Sequence, residues 1–218
     1  ERTNSKEEEE EKRIFRITRF SMSAGVYNIE IEQGGDYALA VTYKDSAGVV
    51  FDLSSGYTAK MNIKESYLDA ELDAIDTLTT LSGEITLSNG IGTAVTGTIA
   101  VDTSQSVVTV TQDSGEHGFS IGGQISISGA APQEYNGVIT ITSTPTASTF
   151  TYDAVAGDTI TDSTVSFYEV QPNIAIDIGF GTTAAYDFSQ AFYDLEVTQA
   201  TTNAKVLRGK VNLIRELN

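Results

Sequence analysis

Tyr27-Asn28-Ile29-Glu30-Ile31-Glu32 alternates apolar and polar residues without a break. The same period of two returns in Tyr37, Leu39, Val41 and Tyr43, and again in Tyr57, Ala59, Met61 and Ile63. Far along the chain it resumes in Ile174, Ile176 and Ile178, in Tyr193, Leu195 and Val197, and in the long run from Lys205 to Arg215. Alternation of this kind puts every apolar side chain on one face of an extended strand. Strands with one dry and one wet face belong to antiparallel sheets packed on one side only. Residues 22–90 and 171–218 therefore read as two halves of one antiparallel β-sandwich of about seven strands, an all-β fold.

Between the halves the texture changes. From Ile91 to Tyr168, Thr, Ser, Gly and Val dominate and neither Lys nor Arg occurs. Strands are expected at Thr98 to Val101, Val107 to Gln112, Gln124 to Ser128, Val138 to Thr142, Thr149 to Tyr152 and Ser163 to Tyr168. Short strands at near-regular spacing, punctuated by Gly, Pro and Ser, indicate a small sandwich or barrel. Residues 91–170 are thus expected to be an inserted β domain that folds as its own unit. Asn89-Gly90, at the end of the strand Glu84 to Ser88, is a strong turn signal at the point of entry.

One helix is expected. Ser66 followed by Asp69 has the form of a helix N-cap with an acid three positions on, and Leu68, Leu72 and Ile75 recur at helical spacing, predicting a short helix over about 67–77. The opening residues 1–21 contain the acidic block Glu7 to Glu11 followed by Lys12-Arg13. They read as a charged extension outside the core, either a solvated, fraying helix or text ahead of a start at Met22.

Composition removes several function classes. The chain has no Cys, which excludes disulfides and thiolate metal sites. His117 is the only imidazole, so a Ser/His/Asp triad would have to be built around it. The net charge is −17, and because residues 1–21 hold six basic and six acidic groups, the whole of it falls on the remainder. An acidic body repels phosphate backbones, whose binding rests on cationic neutralisation, so no nucleic-acid partner is expected. No apolar run approaches the roughly 20 residues that span a bilayer, so no membrane insertion is expected. Ile14 to Phe20 is interrupted by Arg16 and Arg19 where a secretory signal needs a continuous apolar stretch. Export would then be as part of a particle or by lysis.

The order of these strands, with the interruption after Ser88-Asn89-Gly90, resembles the N-terminal domain of phage baseplate upper proteins, seen widely in tail and baseplate components of tailed phages. The resemblance covers about Tyr27 to Gly90 and Asn173 to Ile214. The run from His117-Gly118-Phe119 through Gly122-Gly123-Gln124 to Ile127-Ser128-Gly129, with Tyr135-Asn136-Gly137 and Thr149-Phe150-Thr151-Tyr152, resembles a small β module of phage tail and other structural proteins. That module's pattern reads HGFxxGDxVxISGxxxxxYNG, and this chain departs from it at Gly123, where an Asp is common. What the resemblance implies is a virion structural protein of tail, baseplate or fibre attachment, oligomeric in the particle, with other virion proteins as partners. It carries over no functional residue.

Few residues invite a chemical role. Asp177 with Asp187, or Asp69, Glu71 and Asp73, would be acid pairs or a cation cluster only if folding brought them together, and a solvated face is the better reading. Gly34-Gly35 and Gly122-Gly123 open no helix and read as turns. Tyr135, Phe150 and Tyr152 admit a glycan-binding platform, since a sugar packs on aromatic faces, or the core of the small module, which is favoured. A receptor- or glycan-binding module on the virion surface, with a host surface glycan as partner, is accordingly the alternative function. No catalysis, cofactor or metal is expected.

Overall fold

The computed structural model describes residues 24–46, 48–102, 106–153, 163–200 and 202–215. The charged extension over 1–21 and the expected start at Met22 lie outside them. In chain order the first segment forms β1 (Gly25–Val26), β2 (Ile29–Glu32), β3 (Tyr37–Val41), β4 (Tyr57–Lys64), β5 (Asp76–Thr79) and β6 (Ile85–Leu87). The middle forms β7 (Val95–Asp102), β8 (Val107–Gln112), β9 (Gln124–Ser128), β10 (Gly137–Thr140), β11 (Ser143–Thr146), β12 (Thr149–Asp153) and β13 (Ser163–Glu169). The last segment adds β14 (Ile174–Ile178), α1 (Phe180–Ala184), β15 (Gln190–Gln199) and β16 (Thr202–Ile214).

The outer segments interleave. One sheet is six-stranded, in the order β1-β16-β15-β4-β5 with β2 also on β16, and the other is three-stranded, in the order β3-β14-β6. Each contains strands from both segments, and their apolar faces share one core that runs from Ile29, Met61 and Ile63 to Ile176, Leu195 and Val211. Two differences from expectation stand out. There are more than seven strands, because the two-residue β1 and the β5 edge were not legible, and β1 and β2 pair with β16 in parallel. Tight approach of that parallel strand explains Gly209: a Cβ there would lie 1.8 Å from the Tyr27 carbonyl oxygen.

The helix expected over 67–77 is absent. The stretch holds one 3-10 turn, Glu71–Asp73, and then enters β5; the α-helix among the described residues is α1. The capping bonds do form, with Ser66 N–H donating to Asp69 Oδ2 at 2.8 Å and Leu68 N–H to Ser66 Oγ at 3.2 Å. Propagation fails because the sheet face beneath is largely polar, presenting Asn62, Asp194 and Glu196, and its Phe192 is taken by Tyr67, which leaves Leu68 and Leu72 in water.

The middle segment makes a single seven-stranded sheet, in the order β10-β9-β13-β7-β8-β12-β11. Its two ends are consecutive pieces of one chain segment. Ile141 N–H donates to Gly123 O at 2.9 Å, extending the β9 side, and Thr142 N–H donates to Thr151 O at 2.8 Å, on the β12 side. The sheet thereby curls round into a barrel, with one bent segment, residues 137–146, serving as both of its end strands. Its core, from Ile99 and Val110 to Tyr135, Phe150 and Phe167, is separate from that of the outer sheets.

The chain enters and leaves the barrel at one place. Ile91 and Val170 form an antiparallel bridge, Gln171 N–H donates to Gly90 O at 2.9 Å, and Gly92 N–H donates to Glu169 O at 2.9 Å. Gly90 has φ +68°, a region open to glycine, and a Cβ there would sit 2.3 Å from Val50 Cγ1. Just beyond, buried Asn173 clamps the two outer segments: its Oδ1 accepts from Tyr43 N–H at 2.6 Å and its Nδ2 donates to the carbonyls of Tyr43 and Phe51.

Candidate interaction surface

The richest polar arrangement lies on the outer face of the six-stranded sheet. Register places Thr77, Asn62, Asp194 and Arg208 in one row across β5, β4, β15 and β16, and Thr79, Lys60, Glu196 and Lys205 in the next. A bulge between Leu195 and Glu196 lets Val206 enter the core and turns Lys205 outward. Lys205 Nζ then reaches both Asp194 Oδ2, at 3.0 Å, and Glu196 Oε1, at 2.9 Å. Asn203 donates to Glu196 Oε2 at 2.7 Å, and Thr77 donates to Asn62 Oδ1 at 3.2 Å.

Electrostatics follow from that geometry. Burial opposes ionisation of Glu196, yet the hydrogen bonds from Asn203 and Lys205 and the charges of Lys205 and Lys60 outweigh it and hold the carboxyl below its ordinary range. Hydrogen bonds to Glu196 and Asp194 raise the Lys205 ammonium above its ordinary value. Glu196 and Lys205 are therefore ionised at neutral pH. Five of the seven basic residues in 22–218 stand on this face: Lys60, Lys64, Lys205, Arg208 and Lys210.

Residues 65–74 cross part of this face as a strap. Tyr67 packs on Phe192 with ring centroids 4.4 Å apart, Lys60 pairs with Glu71 at 2.8 Å, and Lys64 Nζ donates to Asp69 O at 3.3 Å. Between strap and sheet lies a dimple lined by Asn62, Lys64, Tyr67, Phe192 and Asp194, with room for about one water molecule. Leu68 and Leu72 face out, 95% and 98% exposed.

The residues singled out for a sugar lie elsewhere. Tyr135, Phe150 and Tyr152 are 1%, 0% and 3% exposed inside the barrel. Tyr152 Oη donates to the Tyr135 carbonyl at 3.2 Å, and burial pushes its phenol well above the ordinary range. A glycan platform on these three residues is corrected, because no ring face reaches solvent. His117 is also structural. Phe119 N–H donates to its Nδ1 at 2.9 Å, while Nε2 lies 3.2 Å from the carbonyls of Thr146 and Thr149, so the proton sits on Nε2. Its ring stacks on Phe119 and meets Phe150 edge-on. Asn136 closes the Ala130 turn with bonds of 2.8 and 2.9 Å.

The carboxylates do not converge. Asp187 pairs with Arg215 at 2.8 Å, Asp177 is exposed on β14, and Asp69 and Glu71 make the strap contacts above. Among the described residues no three His, Cys, Asp or Glu side chains form a metal-holding group, and no helix is long and apolar enough to cross a membrane.

No protein-family model and no curated protein matches the chain. Among solved structures it is similar to the CupB6 tip adhesin from Pseudomonas aeruginosa, with 6% sequence identity and a TM-score of 0.22, over 88% of this chain and 41% of that one. The chain thus spans about two fifths of the length of that solved chain. Sequence reasoning missed the outer-face network because Glu196 and Lys205 meet only through a bulge, which leaves no signal in the alternation. The run of cations Lys205, Arg208 and Lys210 on a strand of known period was the available clue.

Proposed function

We propose that the chain is a non-catalytic structural protein of a tailed-phage virion, a tail, baseplate or fibre-attachment adaptor. In this reading residues 22–90 and 171–218 form the attachment domain, docked on another virion protein, and residues 91–170 form an inserted domain that projects as a spacer. The observation that carries it is the neck: a closed barrel with its own core joins the sandwich through one antiparallel crossing, Ile91 opposite Val170. Adjacent ends are the geometry that lets one domain sit inside another without disturbing it. The strand order resembling baseplate upper proteins supplies the particle. Leu68, Leu72 and the 97%-exposed Leu81 are apolar side chains available to a docking partner.

Co-purification across a salt series tests this reading. The chain is expected to travel with intact particles, and an apolar contact holds as salt rises, because screening acts on charges over roughly 8 Å at physiological salt. Absence from particles, together with specific sugar turnover on a glycan array, would replace the structural reading with an enzyme.

A further inference from the structure

One patch on the outer face combines apolar surface with two cations that the fold does not use. Arg208 and Lys210 are exposed, and neither has an acidic partner among the described residues, whereas Lys60, Lys64 and Lys205 are engaged within the chain. Register shows that the patch is continuous: Val26, 71% exposed, lies beside Arg208, and Phe192 lies beside Lys210 with the tilted ring of Tyr67 packed on it. Desolvating two cations is costly unless carboxylates meet them, so this surface fits a partner that is acidic and apolar.

The same chain carries such a surface. Residues 91–170 contain eight Asp or Glu and no Lys or Arg. On the barrel, the loop between β8 and β9 presents Asp113, Glu116 and the 65%-exposed Ile121. It is held in shape from inside, since His117 and Phe119 anchor it to the Thr146 and Thr149 carbonyls and to Phe150. A preorganised loop loses little freedom on binding.

We propose that the Val26, Arg208, Lys210, Phe192 and Tyr67 patch of one copy receives the Asp113–Ile121 loop of a second copy, joining copies head to tail. This rests on the reading above only in that a particle holds repeated copies. Head-to-tail contact uses two different surfaces, so it generates rings or filaments rather than closed twofold dimers. It also accommodates the charge of −17, because like patches never meet and the remaining repulsion is screened beyond roughly 8 Å at physiological salt.

The test uses the purified full chain in sedimentation velocity at physiological ionic strength, with two variants, Arg208→Glu/Lys210→Glu and Asp113→Lys/Glu116→Lys. All four side chains are exposed, and circular dichroism and melting verify that each variant is folded. The unaltered chain is expected to self-associate, at least about tenfold more weakly in high salt, and each variant alone is expected to lose at least about tenfold in affinity. Mixed in equal amounts the two variants are expected to associate again, because the mixture restores opposite charges at both kinds of contact. Association of either variant alone at the unaltered strength, a mixture that stays monomeric, or an unaltered chain monomeric at every salt concentration would each overturn the proposal. The last result leaves attachment to particles standing, since co-purification tests that separately.

Discussion

The sandwich and the barrel are both built from short strands, yet they solve the core problem in different ways. The barrel takes its core from one continuous stretch and fills it with rings: Phe119, Phe150 and Phe167 meet edge to face at centroid distances of 5.4–6.1 Å, with His117 stacked on the cluster. The sandwich takes its core from two segments separated by the whole barrel, and its rings, such as Tyr186, Phe188 and Tyr193, are set among aliphatic side chains from both. Every pairing of the barrel lies within its own stretch, whereas pairings of the sandwich such as β15 with β4 reach across the whole barrel. Contiguity therefore decides which part can stand alone, and the sandwich needs devices that bind its two segments: Asn173, Thr183 Oγ1 donating to the Gly35 carbonyl at 2.7 Å, and Tyr186 Oη donating to Asp76 Oδ2 at 2.6 Å.

The largest single effect is expected in the barrel. Phe150→Ala removes a fully buried ring that touches three aromatic neighbours and should cost about 3–5 kcal/mol. Native-state hydrogen exchange should show the loss in β7 to β13 and leave β4 and β15 protected. Equal loss in both regions would mean that the cores are coupled.

Next is a change confined to the sandwich. Gly209→Ala drives a methyl group into the Tyr27 carbonyl, which also accepts from Tyr193 Oη at 2.8 Å, and should cost about 1–3 kcal/mol. Exchange should rise first at Tyr27 to Ile31, where β1 and β2 leave β16, while the barrel amides are unchanged.

Acid should separate the two regions as well. Glu196 has a depressed pKa in the folded sandwich, so its contribution is present above the ordinary glutamate range and is lost as pH falls through that range and below. Glu196→Gln should cost about 1.5 kcal/mol at neutral pH and flatten the acid limb of the stability profile for the sandwich. The barrel profile should not move. An unchanged sandwich profile would show that the Lys205 network contributes nothing in solution.

Much of this contrast was legible in the chain. Period-two alternation identified the long strands of the sandwich, while short strands at near-regular spacing and the loss of Lys and Arg after Ile91 marked the barrel. Gly118, Gly122, Gly129 and Gly137 all have positive φ, so the glycines of the tail-module pattern mark turns. What failed was local text whose meaning depends on a distant surface. Leu68, Leu72 and Ile75 keep helical spacing, but a polar sheet beneath gives them nothing to pack on, and Asp76 to Thr79 is taken by β4 as an edge strand. Tyr135, Phe150 and Tyr152 could not be assigned to core or surface without knowing that the barrel closes around them.

The smallest effect is predicted for the strap. Leu68→Ser with Leu72→Ser should change stability by no more than about 0.5 kcal/mol, since both side chains already stand in water. A larger loss in a urea titration would mean that the strap holds the sheet face together rather than presenting a docking surface.

Excision of the barrel tests the central claim most directly. Joining Gly90 to Gln171 through a short flexible linker removes the aromatic core but keeps every strand of the two outer sheets and the Asn173 clamp. The shortened chain is expected to unfold in one cooperative transition, with exchange protection over β4, β15 and β16 as in the full chain, while residues 91–170 expressed alone give a separate cooperative transition. A shortened chain that lacks protection in β15 and β16 despite the linker would contradict the account, because the two regions would then depend on a shared core.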